Sequence, residues 1–356
     1  MESSEDIRDK SDLSLHEARI ITTLQVQLPP TTPVDDVGYK VQGLDCLIAL
    51  VKCFYSNMPS LYFTRDEQNR DFEAKNPILG LAWLKVDYEH GQVSAEWTEA
   101  KKAILMQFNP KHPDDAQLRF EQLFHTRLMK NTLWFRPEYR LHRASLIKSE
   151  TNWKLEDLGN EEIFKLSTLV FDRSKSPTES FERTIEDAFG LRQLSDGSRR
   201  LRMCAEPCVL RIQYTTKKGL QSIPFSRIKN VYLPIHELKD SEPVVLRNSL
   251  YTLVAVVSLT DDRLRTYSFL GRAIFHWPKS PIVSGKTWSL EDDADGRFML
   301  FYMLAGKAKK DVMYGEFGEN SLDWKGYEIA DEMLMKRLAK MKSEGKTGKL
   351  GRLRDS

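Results

Sequence analysis

Several absences narrow the class of this chain before any motif is read. No apolar run approaches the roughly 20 residues that a membrane helix needs. The opening Met1-Glu2-Ser3-Ser4-Glu5-Asp6 has neither a basic n-region nor an apolar h-region, so no signal peptide is expected. Cysteine is scarce: Cys46, Cys53, Cys204 and Cys208 are the only four in 356 residues, too few for a disulfide framework. A cytoplasmic or nuclear, reducing setting is therefore expected. The formal net charge is only +2, so nothing in the balance calls for nucleic acid, and no membrane contact is expected. Glycine-rich phosphate loops and dinucleotide-binding patterns are missing, and the seven histidines show no H-x-x-x-H spacing. Cys204 and Cys208 lie four apart, but a structural zinc takes four ligands and no second pair is near. Neither a metal nor a cofactor is expected.

What is present is enough apolar material, 41% of residues, to bury a large core. Residues 1–36 are polar and end in the proline-rich Leu28-Pro29-Pro30-Thr31-Thr32-Pro33, which reads as an extended lead-in. Val41 to Met58 has the apolar spacing of a buried helix, with Asp45 placed to cap its start. Ala116 to Arg127 reads as a second helix, its N-terminus marked by Pro113, Asp114 and Asp115. Strand and helix patterns follow over residues 161–171 and 180–192, around the turn-like Ser174-Lys175-Ser176-Pro177.

After Pro207 the texture changes to β-branched and aromatic runs: Cys208 to Tyr214, Asn230 to Leu233, Tyr251 to Leu259 and Thr266 to Ile274. Helices first and antiparallel strands later predict an α+β fold. Toward the end, Ile329, Met333, Leu334 and Leu338 suit an amphipathic helix. Residues 336–354 then carry eight Lys/Arg against one Glu, either a solvated tail or a contact for an acidic partner.

The order of these segments resembles the ubiquitin-specific protease family of cysteine deubiquitinases. Gly43-Leu44-Asp45-Cys46 stands where that family has G-N-T-C at the start of its nucleophile helix. Asp115-Ala116-Gln117 with Leu123 and Phe124 is similar to the helix Q-D-A-x-E-F-x-x-x-L-L. Ser180-Phe181-Glu182 to Phe189 and Pro207-Cys208-Val209-Leu210 match the acidic helix and the P-x-V-L strand. Val231-Tyr232-Leu233-Pro234 fits V-x-F-P, and Tyr251-Thr252-Leu253 with Ala255-Val256-Val257 fits Y-x-L-x-A-V. Trp288 with Asp292, then Phe298-Met299-Leu300-Phe301-Tyr302, fits the closing W-x-x-x-D and Y-x-L-F-Y elements.

The departures fall on the chemistry. Leu44 replaces the asparagine that donates to the oxyanion, and losing one such donor typically costs about 10²–10³ in rate. Lys52 and Cys53 stand in the neighbourhood of a glutamine common in the nucleophile helix. Leu118 and Arg119 replace the glutamate and phenylalanine of the second helix. Counting from Tyr251 puts Arg265-Thr266-Tyr267 at the family's G-H-Y, so Thr266 takes the place of the general base. A threonine takes up no proton near neutral pH. A second register supplies His276 as base, at the cost of a longer loop that absorbs Thr266 to Ile274, although that run alternates better as the return strand of a hairpin through Asp261-Asp262.

The resemblance implies a papain-like domain over residues 37–306, with a helical thumb, an antiparallel β palm and reduced fingers, followed by a C-terminal extension over 307–356. The stretch Leu141 to Trp153, where many members carry zinc cysteines, has none. It implies ubiquitin or a related modifier as partner, held by a module whose catalysis is impaired. The alternative is an active thiol isopeptidase with Cys46 as nucleophile, His276 as displaced base and Asp292 or Asp293 orienting it. Cys46 is otherwise a buried, inert thiol, and the aspartates ordinary turn residues.

Overall fold

The computed structural model describes residues 6–8, 13–30, 41–58, 66–84, 95–108, 118–149, 152–221, 223–239, 242–268, 271, 273–274, 276, 282–283, 289–292 and 294–305. It is an α+β fold, with most helices before His142 and two sheets built from the strands that follow. The expected C-terminal helix and basic tail lie outside these residues, as do Pro113 to Asp115.

The helical part opens with α1 (Leu13–Val26), α2 (Gln42–Asn57), α3 (Glu67–Lys75), α4 (Pro77–Leu81), α5 (Ala95–Phe108) and α6 (Phe120–Phe124). Helix α2 is the hub, because both its faces are covered and Leu44, Leu47, Ile48, Leu50, Val51 and Phe54 are wholly buried. It starts at Gln42 after Val41, which offers no side-chain cap, so Asp45 lies inside the helix instead of capping it. The segment expected as one helix from 116 to 127 is broken, for α6 ends at Phe124. Thr126 then caps a new turn by accepting from the Met129 amide at 3.3 Å.

The first 36 residues were expected to be an extended lead-in, yet Leu13–Val26 is helical. Ile20, Leu24 and Leu28 recur every four residues and are all buried in the main core. Each such side chain contributes about 1.5–3 kcal/mol of transfer free energy.

The larger sheet has six strands: β3 (Thr168–Asp172), β6 (Val209–Thr216), β10 (Gly296–Leu304), β8 (Glu242–Ser258), β7 (Asn230–Lys239) and β9 (Arg263–Thr266). The order is β3-β6-β10-β8-β7, with β9 also on β8, and only β3 runs parallel to its neighbour. The smaller sheet, β2-β1-β5-β4, joins β1 (His142–Ser149), β2 (Asn152–Leu155), β4 (Gly190–Gln193) and β5 (Arg199–Cys204) antiparallel throughout.

Strand β10 explains its own composition. Met299, Phe301 and Met303 point into the core shared with α2 and α6, whereas Phe298, Leu300 and Tyr302 point into a second core. A strand buried on both faces reads as a continuous apolar run, and Phe298 to Leu304 does so. The hairpin through Asp261-Asp262 forms, with Val256 opposite Arg265 and Ala255 opposite Thr266. Its return strand is Arg263–Thr266, however, which shares only Thr266 with the expected Thr266 to Ile274. Tyr267 bridges to Ala273, and Gly271, at φ 78°, supplies the left-handed residue that the reversal needs.

Candidate functional site around Cys46

Three chain segments meet here, the start of α2 being the first. Gly43 lies against the backbone of residues 118–120 so closely that a Cβ would sit 2.1 Å from the Leu118 carbonyl and 2.2 Å from the Phe120 nitrogen. The third segment is the β8–β9 turn. There Asp262 adopts φ 53°, and its carboxylate accepts from the Phe120 amide at 3.2 Å and from Arg119 Nε at 3.1 Å. Arg119 also donates to the carbonyls of Leu259 and Thr260, which clamps the turn onto α6.

Cys46 lies beneath this clamp. Its Sγ donates to the main-chain carbonyl of Asp262 at 2.7 Å, and the residue is 0% exposed. Burial pushes the thiol well above its ordinary pKa, and the carboxylates of Asp262, Asp45 and Asp261 push it the same way. The helix N-terminus offers little relief, because Cys46 is the fifth helical residue and the dipole acts within the first turn. Asp45 keeps its charge company with Lys101, 2.9 Å away on α5.

The other candidate residues have hydrogen-bond partners of their own. His276 is 8% exposed and its Nε2 lies 2.6 Å from Thr266 Oγ1, so the residue at the family's base position and the displaced candidate base hold each other. Which of the two donates depends on the imidazole tautomer. Burial lowers His276 to about 4, while the carbonyls of Gln25 and Val26, close by without well-formed bonds to Nδ1, oppose that shift. Beside them lies a cavity of about 10 Å³, at the threshold for one water, lined in part by Leu24, Cys53 and Ser56. Cys53, two helical turns beyond Cys46, is pushed up to about 12 by burial. Asp292 accepts from the Ser289 amide at 2.6 Å within an exposed turn. Asp293 and Trp288 lie outside the described residues.

Chemically, this arrangement keeps a thiol protonated. Among the described residues no histidine is hydrogen-bonded to Cys46, and its single hydrogen bond goes to a carbonyl. No group of three or more His, Cys, Asp or Glu that could hold a metal occurs among the described residues. No helix among them is long and apolar enough to cross a membrane.

Sequence reasoning passed over Arg119 and Asp262 as a pair. The signal was present in part, for Arg119 replaces an aromatic residue in the resemblance and Asp262 sits in the expected turn. It also missed Arg211, which is 0% exposed on β6 with its guanidinium 4.9 Å from the Phe164 ring centroid, 5.1 Å from that of Trp134 and 5.7 Å from that of Phe124. Its Nε, Nη1 and Nη2 make no hydrogen bond, and burial lowers it to about 9.

No family model and no curated protein matches this chain. What it does must be argued from the site itself.

Proposed function

We propose that the chain is a catalytically impaired relative of the ubiquitin-specific proteases, a pseudo-deubiquitinase that binds or scaffolds ubiquitin or a similar modifier. The carrying observation is the state of Cys46: a sealed thiol that donates to the Asp262 carbonyl. The segment order quoted from Gly43 to Tyr302 supplies the family reading, and the pairing of β9 with β8 supports the register that puts Thr266 at the base position. In this reading the helical half is the thumb, the six-stranded sheet the palm and the small sheet the reduced, metal-free fingers. An extended modifier tail would lie between thumb and palm, held by backbone pairing and side-chain pockets.

The alternative, an active isopeptidase, requires His276 to serve Cys46. A base must come within hydrogen-bond reach of the proton it takes. His276 instead bonds Thr266 and shares a cavity with Cys53. No observation favours the active form.

The test is a titration of the full chain with ubiquitin followed by calorimetry, beside hydrolysis of a fluorogenic ubiquitin C-terminal amide. Binding without hydrolysis, unchanged in Cys46→Ala, is the expected result. Absence of binding to ubiquitin or any ubiquitin-like modifier would remove the proposal.

A further inference from the structure

The stretch from Ile20 to Pro30 crosses α2 and turns main-chain carbonyls toward three basic side chains. Lys52 Nζ reaches the Gln27 carbonyl at 3.4 Å, and Lys101 Nζ donates to the Pro30 carbonyl at 3.0 Å. The Gln25 and Val26 carbonyls face the His276 ring. These groups belong to or follow the last turn of α1, where carbonyls lack helical partners and carry partial negative charge. Ile20, Leu24 and Leu28 supply the apolar grip.

The three bases differ in what else they touch. Lys101 has its carboxylate, Asp45. Lys52 has none within ion-pair distance among the described residues. It is 1% exposed, and its other neighbour is the Trp97 ring, with the centroid 5.8 Å away. His276 has Thr266 from β9 and, across the small cavity, Cys53 from α2. From the Ile20 to Pro30 stretch, Leu24, Gln25, Gln27 and Leu28 line the cavity, and none of these four titrates. A buried ammonium without a carboxylate is costly, so such a site favours the neutral amine.

We infer that α1 and the residues up to Pro30 form a strap whose seating on α2 is coupled to protons at Lys52 and His276, so that proton uptake loosens it and uncovers the α2 face carrying Cys53 and Ser56. Burial alone lowers Lys52 to about 7, and it lowers His276 to about 4. Both values lie below those of the exposed side chains, 10.5 and 6.5, so the released strap binds more protons than the seated one. Seating is therefore strongest above the exposed value and weakens as pH falls toward the buried one. Lys52 acts between pH 10.5 and about 7, and His276 between 6.5 and about 4. Cys53, pushed up to about 12, stays a neutral thiol through both windows. Among the described residues nearby, Asp45 and Lys101 neutralise each other. The inference stands whether or not the chain binds a modifier.

The experiment is amide hydrogen exchange on the full chain, corrected for the intrinsic pH dependence of exchange, with α1 read against β10. Protection of the Leu24 to Gln27 amides should fall about tenfold per pH unit from pH 9 toward 7, one proton's worth, while β10 stays constant. Lys52→Met should flatten that slope, and His276→Gln should flatten the second decline below pH 6.5. A wild-type strap whose protection does not change with pH would overturn the inference, as would an undiminished slope in Lys52→Met. Should Lys52→Met fail to fold, the wild-type slope alone decides.

Discussion

Cys46 Sγ donates to the main-chain carbonyl of Asp262 at 2.7 Å, from a position with no solvent exposure. The thiol is thus a structural donor that ties α2 to the β8–β9 turn. Among the four cysteines, Cys208 alone is not fully buried. A short pulse of N-ethylmaleimide on the native protein should therefore label Cys208 first, with Cys46, Cys53 and Cys204 reacting only on unfolding. Peptide mapping by mass spectrometry reads the order, and early labelling of Cys46 would show that the seal is open.

Gly43 is required by approach, not by its own backbone angles. Gly43→Ala places a methyl group within 2.2 Å of two backbone atoms of the 118–120 segment, and backbone cannot step aside as a side-chain end can. Overpacking of this kind costs about 1–3 kcal/mol and sometimes more. Thermal melting should show a lower midpoint for Gly43→Ala, whereas Gly80→Ala, with open space around its Cβ, should leave it nearly unchanged.

Asp262 should titrate above its ordinary value, because burial raises its carboxyl pKa more than Arg119 and the Phe120 amide lower it. A folded pKa above the unfolded one means that the group contributes stability at acid pH, which is lost as pH rises through the folded value. Arg119→Ala removes the first of the opposing groups, so the carboxyl should move further up. Carbon-13 titration of the Asp262 carboxyl measures both midpoints. The stability lost in Arg119→Ala should be larger at pH 7 than at pH 4, and an equal loss at both would contradict the pairing.

Arg211 carries a charge into an aromatic box without a hydrogen-bond partner. Buried charges of this sort are often replaced by apolar residues at no loss of stability. Arg211→Met, similar in length, should be neutral or raise the urea midpoint, whereas Arg211→Ala should lower it through the cavity left among Phe124, Trp134 and Phe164. A clear loss in Arg211→Met would mean that the guanidinium itself holds the box together.

Much of the fold was legible where one local pattern dominated. The apolar spacing from Val41 to Met58 marked α2, and the β-branched and aromatic runs after Pro207 marked β6, β7 and much of β8. The Asp261-Asp262 turn was legible from its residue types. What sequence reasoning missed depended on contacts between distant segments. The stripe Ile20, Leu24, Leu28 stood in polar surroundings ahead of a proline pair, and those signals favoured an extended chain over a helix. Asp45, a residue type that caps helices, looked like the start of α2. In the fold, Gly43 lets the 118–120 backbone pass close by, and the helix begins before it. The link between Thr266 and His276 needs the reversal at Gly271, and the box around Arg211 draws on rings from three separate stretches. Residue types pointed to Cys46, His276, Asp292 and Asp293, whereas the partners of the first three, the Asp262 carbonyl, Thr266 and the Ser289 amide, come from the fold.

If Cys46 only ties α2 to the β8–β9 turn, as proposed, it forms no covalent bond with a modifier. The most direct measurement is intact-mass analysis of the chain after incubation with ubiquitin bearing a C-terminal thiol-reactive electrophile. The expected result is no covalent adduct over hours at pH 7.5, with reversible binding of unmodified ubiquitin under the same conditions. A stoichiometric adduct that maps to Cys46 and disappears in Cys46→Ala would contradict it.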